Sequence, residues 1–177
     1  MESHAAKVCY LDASALVKLV ADDPDEEPGR TVVRNYYYSH ANMMATPYCV
    51  AEALSVFKRK FVHKKISRDE YMRYVKTFVG TVIGRLEIDE PKFSEWNGNY
   101  PPILSTLKLL REAETLLKKQ DLDFIDCVQI ATIRHGKYSL WCGDSKSILI
   151  TADRDLAKAA RAEDAKVWDC TSEPPPP

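Results

Sequence analysis

The sequence predicts a three-layer α/β/α domain with a central parallel sheet of four to five strands and a large helical share. Three observations lead there. Short apolar runs alternate with helix-patterned segments from one end of the chain to the other, the order of a parallel sheet whose crossovers are helices. The first apolar run, Val8 to Leu11, and a later one, SILIT at 147–151, each end close to an aspartate that precedes a helix. The length, 177 residues at 45% apolar and 29% charged, suits one globular unit that buries most of its apolar surface without help from a metal or disulfide.

Residues 7–14, KVCYLDAS, read as a buried strand that stops at Asp12, with Ser14 as the start signal of a short helix over 15–20. DDPDEEPG at 22–29 is an acidic loop, and a helix over 30–39 carries the triplet Tyr36, Tyr37 and Tyr38. MMAT at 43–46 is a second strand, stopped by Pro47 at the first turn of the next helix. That helix, PYCVAEALSVFKRKFV, begins apolar and ends basic, as its dipole favours. Another runs from Ser67 to about Ile83, with Tyr71, Tyr74, Val75, Phe78, Val79 and Val82 at helical spacing and Ser67 with Glu70 as a capping box. LEI at 86–88 is a short third strand, 89–102 is loop-like, and 104–119 is a Leu-rich helix. DFIDCVQIATIRHG at 123–136 is a helix closed by Gly136. After the loop KYSLWCGDSK come the buried strand at 147–151, the helix DRDLAKAARA and a final strand KVWDC at 166–170. The domain therefore spans 1–170, and the proline-rich residues 171–177 are expected as a disordered tail.

The net charge of −1, from 25 Lys+Arg against 26 Asp+Glu, excludes coating nucleic acid by bulk electrostatics and leaves room for a local basic patch. Cys9, Cys49, Cys127, Cys142 and Cys170 are odd in number, far apart and form no CxxC pair; His4, His40, His63 and His135 share no ligand spacing. Reduced thiols in a cytoplasm are expected, rather than a disulfide framework or structural zinc. No stretch has the length of a membrane span, and MESHAAK lacks the pattern of a signal peptide.

Four acids stand out by position. Asp12 follows the first strand and Asp153 the SILIT strand, and groups just beyond the carboxyl ends of parallel strands line the ligand crevice of such sheets. Glu52 (in CVAEALSVF) and Asp126 (in FIDCVQIA) lie on mainly apolar helices, where burying a carboxylate is costly without compensation. Each acid also has a plainer reading: a strand end or helix cap for Asp12, an exposed helix acid for Glu52, a first-turn acid for Asp126, an N-cap for Asp153. If the four converge, they hold a proton or a cation, and an all-oxygen set selects Mg²⁺ or Mn²⁺ over zinc. Such a site activates water against a phosphodiester.

Taken in order, YLDASALVKL, CVAEALSVFKRK, LDFIDCVQIATIRHG and LITADRDL resemble the four motifs of the PIN-domain ribonucleases, in particular the VapC-like toxins of type II toxin–antitoxin pairs, over roughly Lys7 to Cys170. The resemblance implies a PIN-like fold and a metal-dependent endoribonuclease using Mg²⁺ or Mn²⁺. It makes Asp12, Glu52, Asp126 and Asp153 the catalytic and metal-holding acids, with Ser14 and Thr151 orienting a carboxylate or water. It also implies an RNA substrate, a small antitoxin partner and a homodimer. Asp123, one helical turn before Asp126, reads as solvent-facing, and Asp155 as a first-turn helix acid. The chain is longer than compact toxin members, the surplus lying near 86–110, so a housekeeping RNA-processing nuclease and a non-catalytic RNA- or protein-binding module are the alternatives.

KRKFVHKK at 58–65 is the one dense basic run, and Arg59, seven residues after Glu52, shares nearly the same helix face. It is placed either on a substrate phosphate or in solvent at a helix end. Tyr36, Tyr37, Tyr38 and Trp96 read as partly buried core ahead of groups that stack on bases or fill a protein interface. Other Asp-lined α/β sites fit less well. A phosphoacceptor receiver needs paired acids after its first strand, a haloacid-type phosphatase needs Asp where Ser14 stands, and six glycines form neither GxGxxG nor a P-loop.

Overall fold

The apolar runs form strands β1 (Cys9–Leu11), β2 (Met43–Ala45), β3 (Glu87–Ile88), β4 (Ile148–Thr151) and β5 (Lys166–Asp169). All pair in parallel, in the order β3-β2-β1-β4-β5. The structure, a computed structural model, describes residues 8–22, 28–89, 106–138 and 146–177. Among these lie α1 (Ala13–Val20), α2 (Arg30–Ser39), α3 (Pro47–Val62), α4 (Arg68–Thr77), α5 (Thr106–Leu117), α6 (Phe124–His135) and α7 (Arg154–Ala162).

Alternation along the strands decides the layers. Cys9, Leu11, Met43, Ala45, Ile148 and Ile150 join the core built with α1 to α4, whereas Val8, Tyr10, Met44 and Leu149 join the core built with α5 to α7. Leu11, Leu149 and Ile150 are wholly buried, each stabilising the fold by about 1.5–3 kcal/mol. The chain moves from β1 to β2 to β3 using helices of one face. It then crosses to the other side of β1 and reaches β5 using helices of the other face. Right-handed crossovers require that change of face when the direction reverses. The connections therefore diverge at the carboxyl ends of β1 and β4, where Leu11 pairs with Ile150, and a crevice opens between them.

Several local expectations are refined. Asp12, not Ser14, caps α1. The helix expected to reach Ile83 changes gauge after Thr77, into a π turn over Phe78–Val82 and a 3₁₀ turn over Ile83–Arg85. Phe78 and Val82 are both fully buried there, and Tyr37 Oη donates to the Val82 carbonyl at 2.9 Å. Packing on α2 thus overrides the regular helical turn. Gly136 closes α6 in extended rather than left-handed backbone; glycine fits because a Cβ would collide with the Thr132 carbonyl. The loop and helix start at 90–105, including Trp96, and the loop at 139–145, including Cys142, lie outside the described residues, as does 23–27 of the acidic loop.

The segment read as a disordered tail from residue 171 begins as a hydrogen-bonded turn. Trp168 Nε1 donates to the Glu173 carbonyl at 3.1 Å, and the Glu173 carboxylate pairs with Arg161 at 2.6 Å. These contacts hold the chain before its prolines, whatever their low tendency to pack.

Candidate active site

Three aspartates open helices toward one end of the sheet. Asp12 caps α1 and Asp153 caps α7, directly after β1 and β4, and Asp123 caps α6. Asp153 Oδ1 accepts from the amides of Asp155 (2.8 Å) and Leu156 (3.0 Å), and Asp123 Oδ1 from the amide of Asp126 (2.9 Å). Each cap satisfies helix-end amides and lies where the dipole favours negative charge.

Asp12 is the most enclosed of them, 4% exposed. Its Oδ2 accepts from Ser14 N (3.1 Å), Ser14 Oγ (2.6 Å) and Thr151 Oγ1 (3.1 Å). Those hydroxyls are anchored in turn, Ser14 Oγ accepting from the Ala152 amide at 2.8 Å and Thr151 Oγ1 from the Asp153 amide at 2.9 Å. The network ties the end of β4 to the end of β1 and fixes the Asp12 carboxylate. Burial raises the Asp12 pKa, while the bonds from Ser14 and Thr151 oppose the shift.

Glu52, on α3, and Asp126, on α6, are half-buried. Burial and then the charges of Asp12, Asp123 and Asp153 raise the Glu52 pKa, against the pull of Arg59. Glu52 Oε2 is buried without a hydrogen-bond partner. Asp126 is pushed up to about 8, first by burial and then by Asp12, Asp123, Asp153 and Glu52. A carboxyl that feels four others is the physical signature of convergence. The four acids of the sequence reading thus meet within electrostatic reach, and Asp123 joins them. It is exposed, as read from its position, yet its charge acts on both Glu52 and Asp126. Asp155 lies in the first turn of α7 and is exposed. Arg59 is exposed on α3, and its charge reaches Glu52.

Beside these acids, α3 and α6 meet through a polar contact with no signal in the sequence. Thr46, the cap of α3, and Cys49 both donate to Gln129 Oε1, at 3.3 and 2.9 Å. The Cys49 thiol is buried and held protonated by burial and by the charge of Asp12.

The donor set is entirely carboxylate oxygen, and one of those oxygens, Glu52 Oε2, is buried and unpaired. Both facts fit a hard divalent cation. Among the described residues, no three His, Cys, Asp or Glu side chains are drawn together tightly enough to grip one ion. The acids meet as an electrostatic cluster, which suits an ion held partly through water.

The profile of the PIN domain family matches residues 9–162. No curated protein matches the chain. Among solved structures, PAE2754 from Pyrobaculum aerophilum is similar with a TM-score of 0.54 and 17% identity, over 94% of this chain and 88% of that one. VapC20 from Mycobacterium tuberculosis, a sarcin–ricin loop cleaving toxin, is similar with a TM-score of 0.53 and 12% identity, over 85% of this chain and 94% of that one. At these identities the likeness speaks for the fold. No helix among the described residues is long and apolar enough to cross a membrane.

Proposed function

The chain belongs to the PIN domain family, and from that membership we propose a divalent-metal-dependent endoribonuclease that hydrolyses RNA phosphodiester bonds in the cytoplasm as the toxin of a toxin–antitoxin pair. The observation that carries the reading is Asp126, raised to about 8 in the company of Asp12, Asp123, Asp153 and Glu52. Concentrated carboxylate charge at the crevice of a parallel sheet is of little use to stability and of direct use in binding a cation.

Asp12, Glu52, Asp126 and Asp153 would hold Mg²⁺ or Mn²⁺, directly or through water. When bound, the ion supplies Lewis-acid stabilisation of the phosphoryl charge and a more acidic attacking water. The protein's own groups do the rest. Ser14 and Thr151 hold the Asp12 carboxylate in one orientation. Burial and the neighbouring charges make the Glu52 and Asp126 carboxylates more basic than ordinary ones, which suits their ionised forms to accept a proton from water. Arg59, on the face of α3 that carries Glu52, would pair with a neighbouring phosphate.

The toxin role entails a small antitoxin and a homodimer. Met72 on α4 and Val79 in the π turn, each 54% exposed, offer apolar surface for a protein partner. VapC20 is named for cleaving the sarcin–ricin loop, so a structured RNA loop belongs among the substrates to be tried.

A fluorescent RNA panel, single-stranded and hairpin, tests the reading under Mg²⁺, Mn²⁺ and EDTA. Metal-dependent internal cleavage that Asp12→Asn abolishes supports it. Binding without cleavage under every metal would reassign the chain to the RNA-binding modules.

A further inference from the structure

Gln129 is a buried amide whose two ends are treated differently. It sits on α6, 1% exposed, among apolar neighbours. Its Oε1 end accepts from the Thr46 hydroxyl and the Cys49 thiol. Its Nε2 end is buried and has no hydrogen-bond partner. Thr46 and Cys49 both meet the oxygen end, at the base of α3, and the NH₂ end is left without a partner. A buried donor left unpaired is costly, and such groups in folded proteins usually answer to a ligand, a water or a mechanism.

The position of this donor suggests which. Gln129 lies three residues after Asp126, on the same side of α6, and Cys49 lies three residues before Glu52 on α3. The Gln129–Cys49 contact therefore joins the two helices one turn from both carboxylates. Cys49 feels the charges of Asp12 and Glu52, so the contact lies within reach of the acids. Glu52 Oε2 is the matching orphan: a buried acceptor without a partner. The contact between the two helices thus carries a buried donor and, one turn away, a buried acceptor, each unpaired.

We propose that Gln129 is a positioning residue of the acid site, its Nε2 donating through a bridging water to Glu52 Oε2, so that Thr46 and Cys49 of α3 and the amide of α6 together hold the Glu52 carboxylate in its cation-binding orientation. A water between them would have two polar partners, the fewest a buried water takes. The inference rests on the metal reading above and adds to it a residue that touches neither the ion nor the RNA. The role is orientation, of the kind that outer hydrogen bonds impose on ligating carboxylates.

Two measurements on the full chain test it. A high-resolution crystal structure of the metal-free protein is expected to place a water between Gln129 Nε2 and Glu52; a dry, apolar lining at Nε2 would overturn the assignment. Calorimetric titration with Mn²⁺ then compares the wild type with Gln129→Met, which keeps the size and removes the donor, and with Gln129→His, which keeps one donor and one acceptor. Gln129→Met is expected to bind Mn²⁺ about tenfold more weakly, and Gln129→His to recover most of that loss. Thermal melting without metal reports whether each variant folds. A lower melting temperature with unchanged Mn²⁺ affinity would reduce Gln129 to a packing residue and end the proposal. If the wild type itself binds no Mn²⁺, the metal reading falls and this inference with it, a result distinct from equal binding by wild type and variant.

Discussion

Asp12 and Asp169 stand two strands apart and are bonded almost alike. Each is 4% exposed. Asp12 accepts from the amide and hydroxyl of Ser14 and the hydroxyl of Thr151; Asp169 accepts from the amide and hydroxyl of Thr171 and the hydroxyl of Ser172. Yet the Asp12 pKa is raised and the Asp169 pKa lowered. The surroundings make the difference. Asp12 ends the central strand, enclosed by helices that bring Glu52 and Asp126 toward it, and burial prevails over its hydrogen bonds. Asp169 ends the edge strand β5, where burial is outweighed by its turn's hydroxyls together with the charge of Arg154. A carboxylate cradled by hydroxyls is a structural unit; it becomes a candidate active site when other carboxylates converge on it.

The largest expected effect separates the two directly. Asp12→Asn should lower metal-dependent RNA cleavage by at least about 10³-fold, roughly 4 kcal/mol of barrier. Asp169→Asn should leave cleavage within about threefold, because it touches none of the clustered acids. Comparable losses in both variants, in single-turnover assays on folded protein, would erase the distinction.

The pH response should differ in sign as well. Asp126 keeps its proton up to about 8 in the folded protein, whereas the unfolded chain releases it in the ordinary carboxylate range. The folded state therefore binds more protons in that window, and in EDTA stability should fall as pH rises through it, by at most about 1.4 kcal/mol per pH unit for one group. Asp126→Asn should flatten the decline in urea unfolding series at pH 5, 6.5 and 8, and Mn²⁺ should counter it by binding the folded state. Asp169, with its lowered pKa, adds stability above the ordinary carboxylate range and loses it as acid protonates the folded carboxylate. A metal-free protein that grows more stable from pH 5 to 8 would contradict the clustering of the acids.

Asp169→Asn should act mainly on stability, at a cost of about 1–3 kcal/mol for hydroxyl and amide donors left badly paired. Its hydroxyl partners lie in the turn that also carries Glu173, which Trp168 and Arg161 hold, so the loss should appear as a lower melting temperature. A variant with wild-type melting but impaired cleavage would extend the active site to β5.

LDAS at 11–14 and WDCT at 168–171 look alike in the sequence, an apolar strand end, an aspartate and a hydroxyl two positions on. Nothing local tells the site from the turn. The strands were legible because doubly covered parallel strands read as short apolar runs, and the helices because their apolar spacing and caps are local. Glu52 and Asp126 were legible as carboxylates out of place on apolar helices, but their meeting depends on how α3 and α6 come together at the ends of the strands, which no spacing encodes; the motif resemblance supplied it. Asp123 was judged by its exposure, whereas charge acts through space on neighbours the sequence does not reveal. Gln129 left no mark, because an amide in FIDCVQIATI looks the same whether packed idly or aimed at a site. The π turn was invisible too, since Tyr37, forty-five residues before Val82, meets it only through tertiary packing.

The smallest effect concerns charge of the other sign. Arg59 is exposed, seven residues beyond Glu52 on α3, and its charge already reaches that carboxylate. If RNA lies across the acids, one of its phosphates falls within range of the guanidinium. Arg59→Ala should then weaken RNA binding by about fivefold, on the order of 1 kcal/mol, and reduce the slope of log K against log salt by about 0.7 for a single strand. Arg111, exposed on α5 and so on the opposite layer, is the control for bulk charge. Removing it changes the net charge equally but should leave the salt slope alone. Because Arg59 also lowers the Glu52 pKa, its loss should weaken proton release from Glu52 while strengthening the pocket's pull on a cation. RNA affinity and Mn²⁺ affinity should therefore move in opposite directions in this variant. Parallel movement would mean that Arg59 acts through the fold of α3 rather than through its charge.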